Sequence, residues 1–237
     1  MHASLEAVVL VPVLAAVYAL ALRPRGVRAV AATAGLLLIA VFFATPLQGW
    51  ATETFLWAHL LQNVVMAEWA PLLLVLAIPA DRLRSVRIPM LPALGTWLGT
   101  YLVWHLPWVY DTALAHQRWL LHVEHLTYLL AGLAFWWPVV RGRGSSGTKA
   151  LYVFGALVLA SPIGLALALI PRPIYDFYVH APRTWGPSPL VDQQIAGVTM
   201  ALEEAAVFFA AFAFYLLRFL QEEQRDPDVF RRAQQHS

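Results

Sequence analysis

The sequence predicts an all-α polytopic membrane protein, a bundle of seven transmembrane helices. Hydrophobic residues make up 60% of the 237 positions, and the mean hydropathy is +0.62. Charged residues account for 13%, whereas an average soluble domain carries about 25%. The charges also cluster between long apolar runs, which is the pattern of a membrane protein.

Seven apolar runs are long enough to cross a bilayer as helices, for which about 20 residues are needed. They lie at 5–22, 28–46, 54–79, 91–110, 119–140, 150–170 and 194–219. Helices are the expected form because backbone groups in lipid must find hydrogen bonds within their own segment. We therefore expect residues 1–221 to form a seven-helix transmembrane domain and residues 222–237 to form a charged cytoplasmic tail.

The loops between these runs predict an orientation. Arginine and lysine concentrate in the alternate loops "RPRGVR", "ADRLRSVRIP" and "RGRGSSGTK" and in the C-terminal tail. The intervening loops carry far fewer positive charges. Because positively charged loops stay on the cytoplasmic side, we expect the N-terminus outside and the C-terminus in the cytoplasm. The lipid bilayer would surround the seven helices.

Histidines within the apolar runs collect at the predicted outer end of the bundle. Cysteine is absent, so a metal ion could be held only by oxygen, imidazole or thioether ligands. The stretch "HVEH" places His122 and His125 one helical turn apart, within reach of one ion. The sequence therefore predicts an outer metal site formed by His59, His105, His122 and His125. For each histidine, a hydrogen bond to a neighbouring side chain is the alternative to metal binding.

Further polar side chains accompany these histidines. Possible additional residues lining the site are Asn63, Met66, Asp192, Gln193 and Met200. Three acids lie deeper in the membrane: Glu68, Glu203 and Glu204. An ionised carboxylate at that depth costs about 2.5–3.5 kcal/mol. The acids are therefore expected to be protonated, bonded to neighbouring Tyr, Trp or Ser, or used to handle protons or ions. In a regular helix Glu68 falls on the face opposite His59 and Asn63.

Four segments, in order, resemble the motifs of the CtaG-type cytochrome c oxidase assembly factors. They are "LWAHLLQNVVMAEWAPLLLVLAIP", "YLVWHLPWVYDTAL", "VEHLTYLLAGLAFWWPVV" and "WGPSPLVDQQIAGVTM". The resemblance implies a membrane protein that is not an enzyme and that delivers copper to a haem-copper oxidase. Its partner would be the oxidase subunit that carries the buried copper centre. Family members commonly have a methionine in place of Leu60 and a second histidine in place of Asn63.

Copper held transiently at the outer face is the function that this resemblance implies, and binding should weaken below about pH 6 because imidazole binds metal in its neutral form. A metal-free structural partner of the oxidase is one alternative, favoured by Asn63 because an amide is a poor copper ligand. A b-type haem protein is another, and it would need facing histidines such as His59 and His125 or His122. A proton-coupled transporter using Glu68 and Glu203 is the third. The sequence has no basic patch with interleaved aromatic residues, so no nucleic-acid partner is expected.

Overall fold

A computed structural model of the protein describes residues 4–225, and these residues form helices and connecting loops without a strand. Residues 226–237, most of the predicted tail, lie outside the described residues. Seven long helices follow one another: α1 (Glu6–Leu22), α2 (Val27–Ala44), α3 (Leu56–Ala77), α4 (Met90–Trp104), α5 (Trp119–Val140), α6 (Ser146–Leu169) and α7 (Pro189–Gln224). Shorter helices lie in three connections: Pro46–Glu53, Pro107–Asp111 and Asp176–His180.

Five of the long helices, α2, α3, α5, α6 and α7, are long and apolar enough to cross a membrane. Helices α1 and α4 coincide with the predicted first and fourth runs, but each is shorter than 18 residues. Helix α4 ends at Trp104 instead of near 110, because Pro107 has no N–H to continue the helical hydrogen bonds. The all-helical membrane fold is confirmed, whereas the count of seven spans remains a prediction.

The bundle exposes apolar side chains and buries polar ones. Leu37, Leu130, Leu202 and Phe209, which lie in the middle parts of long helices, are each more than 55% exposed. The buried polar set includes Glu6, His59, Asn63, Glu68, Glu124, His125, Asp192, Gln193 and Glu204. Water would favour the reverse arrangement, whereas lipid is a suitable solvent for an apolar flank. The burial pattern therefore supports the same membrane assignment as the helix lengths.

Helix α3 lies at the centre of the bundle, where it packs against α2, α5 and α7. Pro71 lies within it and cannot donate a hydrogen bond to the carbonyl of Ala67. The helix accommodates the proline by widening into a π-helical turn, Val65–Trp69, immediately before it. The freed carbonyl of Ala67 accepts a hydrogen bond from the indole N–H of Trp97 on α4 at 3.3 Å. The wide turn thereby ties α3 to α4.

Helix α5 approaches this wide turn closely because it has a glycine at the crossing point. A methyl group added to Gly132 would overlap the carbonyl group of Ala67 and would lie 2.6 Å from Cγ of Pro71. Small residues of this kind allow two helix backbones to pack tightly in a membrane. The contact sets the separation of α3 and α5, two helices that carry buried polar residues such as His59 and Glu124.

The Gly132→Ala variant is therefore expected to be less stable by about 1–3 kcal/mol, the usual cost of overpacking a well-filled core. Gly155→Ala on α6 is the matched control, because its added methyl group would meet no atom within 4 Å. Thermal unfolding of both variants in one detergent measures the difference. Equal unfolding midpoints for the two variants would show that α3 and α5 are not in close contact at Gly132.

Candidate metal centre

Five side chains form a buried cluster at the end of the bundle where α1, α3 and α5 begin. The histidine–carboxylate cluster consists of Glu6 on α1, His59 on α3, and His122, Glu124 and His125 on α5. All are buried except His122, whose side chain is 38% exposed. Three helix starts therefore bring together residues that are up to 119 positions apart in the chain.

Glu6 joins the two histidines of the "HVEH" stretch. Its Oε1 atom accepts hydrogen bonds from Nδ1 of His122 at 2.8 Å and from Nδ1 of His125 at 2.7 Å. The helical spacing of the two imidazoles thus brings both rings to one atom. The contacts of Glu6 were not predicted from the sequence. A single acid within the first apolar run nevertheless indicated that this residue has a polar partner.

Glu124 makes the corresponding contacts toward α3. Its Oε2 atom lies 3.3 Å from Nε2 of His59, and its Oε1 atom accepts a hydrogen bond from the side-chain amide of Asn63 at 2.7 Å. Tyr178 donates its hydroxyl proton to the carbonyl of Ala51. The Tyr178 oxygen, 2.9 Å from Nδ1 of His59, therefore accepts a hydrogen bond from that nitrogen. His59 is thus oriented with Nε2 toward Glu124.

His125 connects the two halves of the cluster. One ligand atom each from Glu6, His122 and His125 lie within 4.8 Å of one another, and the same holds for His59, Glu124 and His125. The ring centres of His59 and His125 are 6.1 Å apart. The buried Nε2 atom of His125 has no hydrogen-bond partner among the described residues. The cluster therefore contains two adjoining sets of two imidazoles and one carboxylate, which share His125.

The cluster is closed on its inner side and open at His122. The ring of Tyr110 lies 4.8 Å from that of His59, and the ring of Phe43 lies 4.7 Å from that of His125. His122 instead borders a cavity of about 670 Å³ that is also lined by polar residues of the short helix Pro46–Glu53 and by Arg118. An ion could therefore reach the cluster from this end of the bundle by way of His122.

His105, the fourth predicted ligand, does not join the cluster. Its Nδ1 atom donates a hydrogen bond to the carbonyl of Tyr101 at 2.8 Å, so Nε2 carries the lone pair. That Nε2 atom is buried and has no partner among the described residues. His105 lines a separate cavity of about 10 Å³ together with Asn63, Glu68 and Met200, a space that holds about one water molecule.

The position of Glu68 differs from the expectation for a regular helix. A π-helical turn has hydrogen bonds from residue i to i+5 and rotates the chain less per residue than an α-helix, and with the wide turn at Val65–Trp69 Glu68 lines the same cavity as Asn63. Neither carboxyl oxygen of Glu68 has a hydrogen-bond partner among the described residues. The prediction that Glu68 faces away from Asn63 was wrong, because the helix is locally wider than an α-helix.

The other two deep acids have partners on neighbouring helices. Glu203 accepts a hydrogen bond from the indole N–H of Trp69, and Glu204 accepts one from the hydroxyl of Tyr101. Met66 is fully buried in the apolar core. These contacts match the structural alternative that the sequence left open for the acids.

Asp192 and Gln193 serve to connect helices and do not line the cluster. The carboxylate of Asp192 accepts hydrogen bonds from the backbone N–H groups of Leu56 and Trp57 at 2.9 and 3.1 Å, and from Arg183 at 2.9 Å. It thereby satisfies free N–H groups at the start of α3. Gln193 bonds the backbone of the loop between α6 and α7. Both residues hold α7 against the end of the bundle that carries the cluster.

We expect Asp192→Asn to lower stability by roughly 1.5–3 kcal/mol, the range for hydrogen bonds to charged groups, because Arg183 and two N–H groups lose their anionic acceptor. Asp176→Asn is the control. Its side chain is 81% exposed and faces only the exposed His180, so a change within about 0.5 kcal/mol is expected. Thermal unfolding of the two variants is the measurement, and an unchanged midpoint for Asp192→Asn would contradict the capping role.

The fold and the cluster define a class: a helical membrane protein with a buried histidine–carboxylate site at one end. A family model described as cytochrome c oxidase caa3 assembly factor (Caa3_CtaG) matches residues 13–222, and the chain belongs to this family. No curated protein and no solved structure matches the chain. Four members of the cluster lie within the matched segment, and Glu6 precedes it.

Proposed function

We propose that this assembly factor holds copper transiently in the histidine–carboxylate cluster and passes it to the oxidase subunit that carries the buried copper centre. The protein would act by binding and release, without catalysing a reaction. The observation that carries the proposal is the pair of adjoining three-ligand sets that share His125. An ion could change partners between them while one imidazole stays bound, so it need not be released into the membrane.

The donor atoms fit a metal of the copper type. Imidazole suits copper, zinc, iron and nickel, and the choice of copper rests on the oxidase that the family helps to assemble. The nitrogen–oxygen distances of 2.7–2.8 Å around Glu6 are hydrogen-bond distances. A bound ion would replace the protons in these contacts, which is why copper binding should compete with protons. The unpartnered Nε2 of His125 provides a further donor.

The cluster would face the outside of a bacterial plasma membrane. Arginines concentrate at the opposite end of the bundle, where α1, α3 and α5 end, and such ends stay in the cytoplasm. This orientation requires that α1 and α4 also cross the membrane, which would give seven spans in all. It also directs the polar cavity at His122 toward the side from which copper would arrive.

The geometry supports a haem protein and a metal-free scaffold less well than it supports a copper site. A haem would need open space beside its histidines, but Tyr110 packs against the ring of His59, Phe43 packs against the ring of His125, and Glu124 lies 3.3 Å from Nε2 of His59. A metal-free scaffold is favoured by Asn63, whose amide bonds Glu124. That contact leaves the imidazoles of the cluster and the Glu6 carboxylate available, so it does not remove the two ligand sets.

Copper retention is expected to depend most on His125. After loading purified protein with Cu(I) under reducing conditions and removing loosely held metal, His125→Ala should retain at least tenfold less copper, because even changes around a ligand cost about 10–100-fold in affinity. His122→Ala and His59→Ala each leave one three-ligand set and should have smaller effects. His180→Ala, at an exposed position, is the control. A parent protein that retains no copper would exclude the proposal.

Asn63→His should increase copper retention. The amide of Asn63 donates to Glu124, so an imidazole at this position would add a stronger ligand beside the existing set. Asn63→Gln keeps the amide and serves as the control. Competition with a chelator of known affinity measures the change for each variant. An affinity of Asn63→His no higher than that of Asn63→Gln would place the copper away from Glu124.

A further inference from the structure

Three loops meet at the end of the bundle opposite the cluster. They connect α1 to α2, α3 to α4, and α5 to α6. The arginine face consists of the arginines of these loops and of the first turn of α2: Arg23, Arg25, Arg28, Arg82, Arg84, Arg87, Arg141 and Arg143. Membrane orientation requires positive charges in these loops, but it does not require that they converge.

The arginines converge around two adjoining cavities. One has a volume of about 400 Å³ and is lined by Arg23, Arg25, Arg28 and Arg82. The other has a volume of about 540 Å³ and is lined by Arg28, Arg84, Arg87, Arg141 and Arg143. Arg28 borders both cavities. The charges of all three loops therefore surround two cavities that share Arg28.

Negative charge at this face is scarce. The single acid that lines either cavity is Asp81, which is 68% exposed and lies 3.8 Å from Arg82. Within residues 4–225, no carboxylate forms an ion pair with the other arginines of the face. Burial and the nearby charges of Arg28 and Arg84 lower the pKa of Arg141. The positive charges are thus close enough to repel one another, and an anion would relieve that repulsion.

The loops around the cavities are fixed in place. The guanidinium of Arg141 donates hydrogen bonds to the carbonyls of Ile78, Pro79 and Arg82 and stacks over the ring of Trp137 at 5.1 Å. Arg141 is therefore used to hold the loop between α3 and α4. Leu83 in that loop has a φ of 53°, a conformation that a non-glycine residue rarely adopts. The remaining arginines are exposed. Arg23 and Arg84 use only Nε in hydrogen bonds to backbone carbonyls, so their terminal nitrogen atoms can bind a ligand.

The larger cavity also has an apolar wall. Leu76, Val86 and Val140 line it beside the arginines, and the side chain of Leu76 is 44% exposed toward the flank of the bundle. A ligand that fills this space would contact both guanidinium groups and aliphatic side chains. A free phosphate would use the first but not the second.

We propose that the arginine face binds the headgroup of an anionic phospholipid, with the phosphate among the guanidinium groups and the acyl chains along the apolar wall. Guanidinium groups bind phosphate oxygens in pairs of parallel hydrogen bonds. Basic pockets between helices at the cytoplasmic surface suit such headgroups. The site is separate from the copper cluster and does not depend on it.

Native mass spectrometry of the delipidated full chain with phosphatidylglycerol or phosphatidylcholine tests this proposal. Phosphatidylglycerol should remain bound, and phosphatidylcholine should bind at least tenfold more weakly because its choline is repelled. Each arginine near a membrane surface contributes about 1 kcal/mol, or roughly fivefold, so Arg28→Gln/Arg84→Gln should lower affinity about 25-fold. Arg172→Gln removes one charge at the opposite end, where the residue is exposed, and should bind like the parent.

Two results would overturn the proposal. Equal binding of both lipids, or unchanged binding by the double variant, would show that the arginines serve orientation alone. Inorganic phosphate that displaces the lipid at equal concentration would show that the apolar wall contributes nothing and that the ligand is a free anion. Copper retention should be the same in the parent and the double variant, so the two proposals can fail separately.

Discussion

The polar residues inside the bundle depend on the contacts that the buried carboxylate of Glu124 makes with neighbouring helices. A carboxylate in an apolar bundle is tolerated only when other groups bind it. Glu124 accepts a hydrogen bond from Asn63 on α3, and its second oxygen lies 3.3 Å from Nε2 of His59. The next residue, His125, bonds Glu6 on α1. Two neighbouring residues of α5 therefore connect three helices through hydrogen bonds. The candidate site and the packing of this end of the bundle share the same contacts.

Tight packing between α3 and α5 makes these contacts possible. The wide turn before Pro71 and the absence of a side chain at Gly132 let the two backbones approach each other. Trp97 bonds the carbonyl that Pro71 leaves free, so the irregular turn has no unpaired backbone group at that position. Asp192 fixes the start of α3 in the same way. The backbone groups of α3 that have no partner within the helix thus bind side chains of α4 and α7 and hold these helices in position.

The helices and part of the site could be predicted from the sequence because their signals are local. Apolar length located all seven helices, and a spacing of three residues placed His122 and His125 on one face. The partnership of Glu6 with His122 spans 116 positions, and no local pattern encodes such a contact. The predicted position of Glu68 was wrong for a different reason. A proline such as Pro71 predicts a distorted helix, but it does not show that the distortion is a π-helical turn.

In the proposed function, imidazole and carboxylate groups of the cluster hold the copper. Met66 lies in the apolar core and Met200 beside a separate cavity, so neither thioether should take part. X-ray absorption at the copper edge of the Cu(I)-loaded protein tests this most directly. Copper held in the cluster should have nitrogen and oxygen ligands, including at least two imidazoles, and no sulfur. Sulfur scattering, or fewer than two imidazoles, would show that the ion binds elsewhere and would contradict the proposed function.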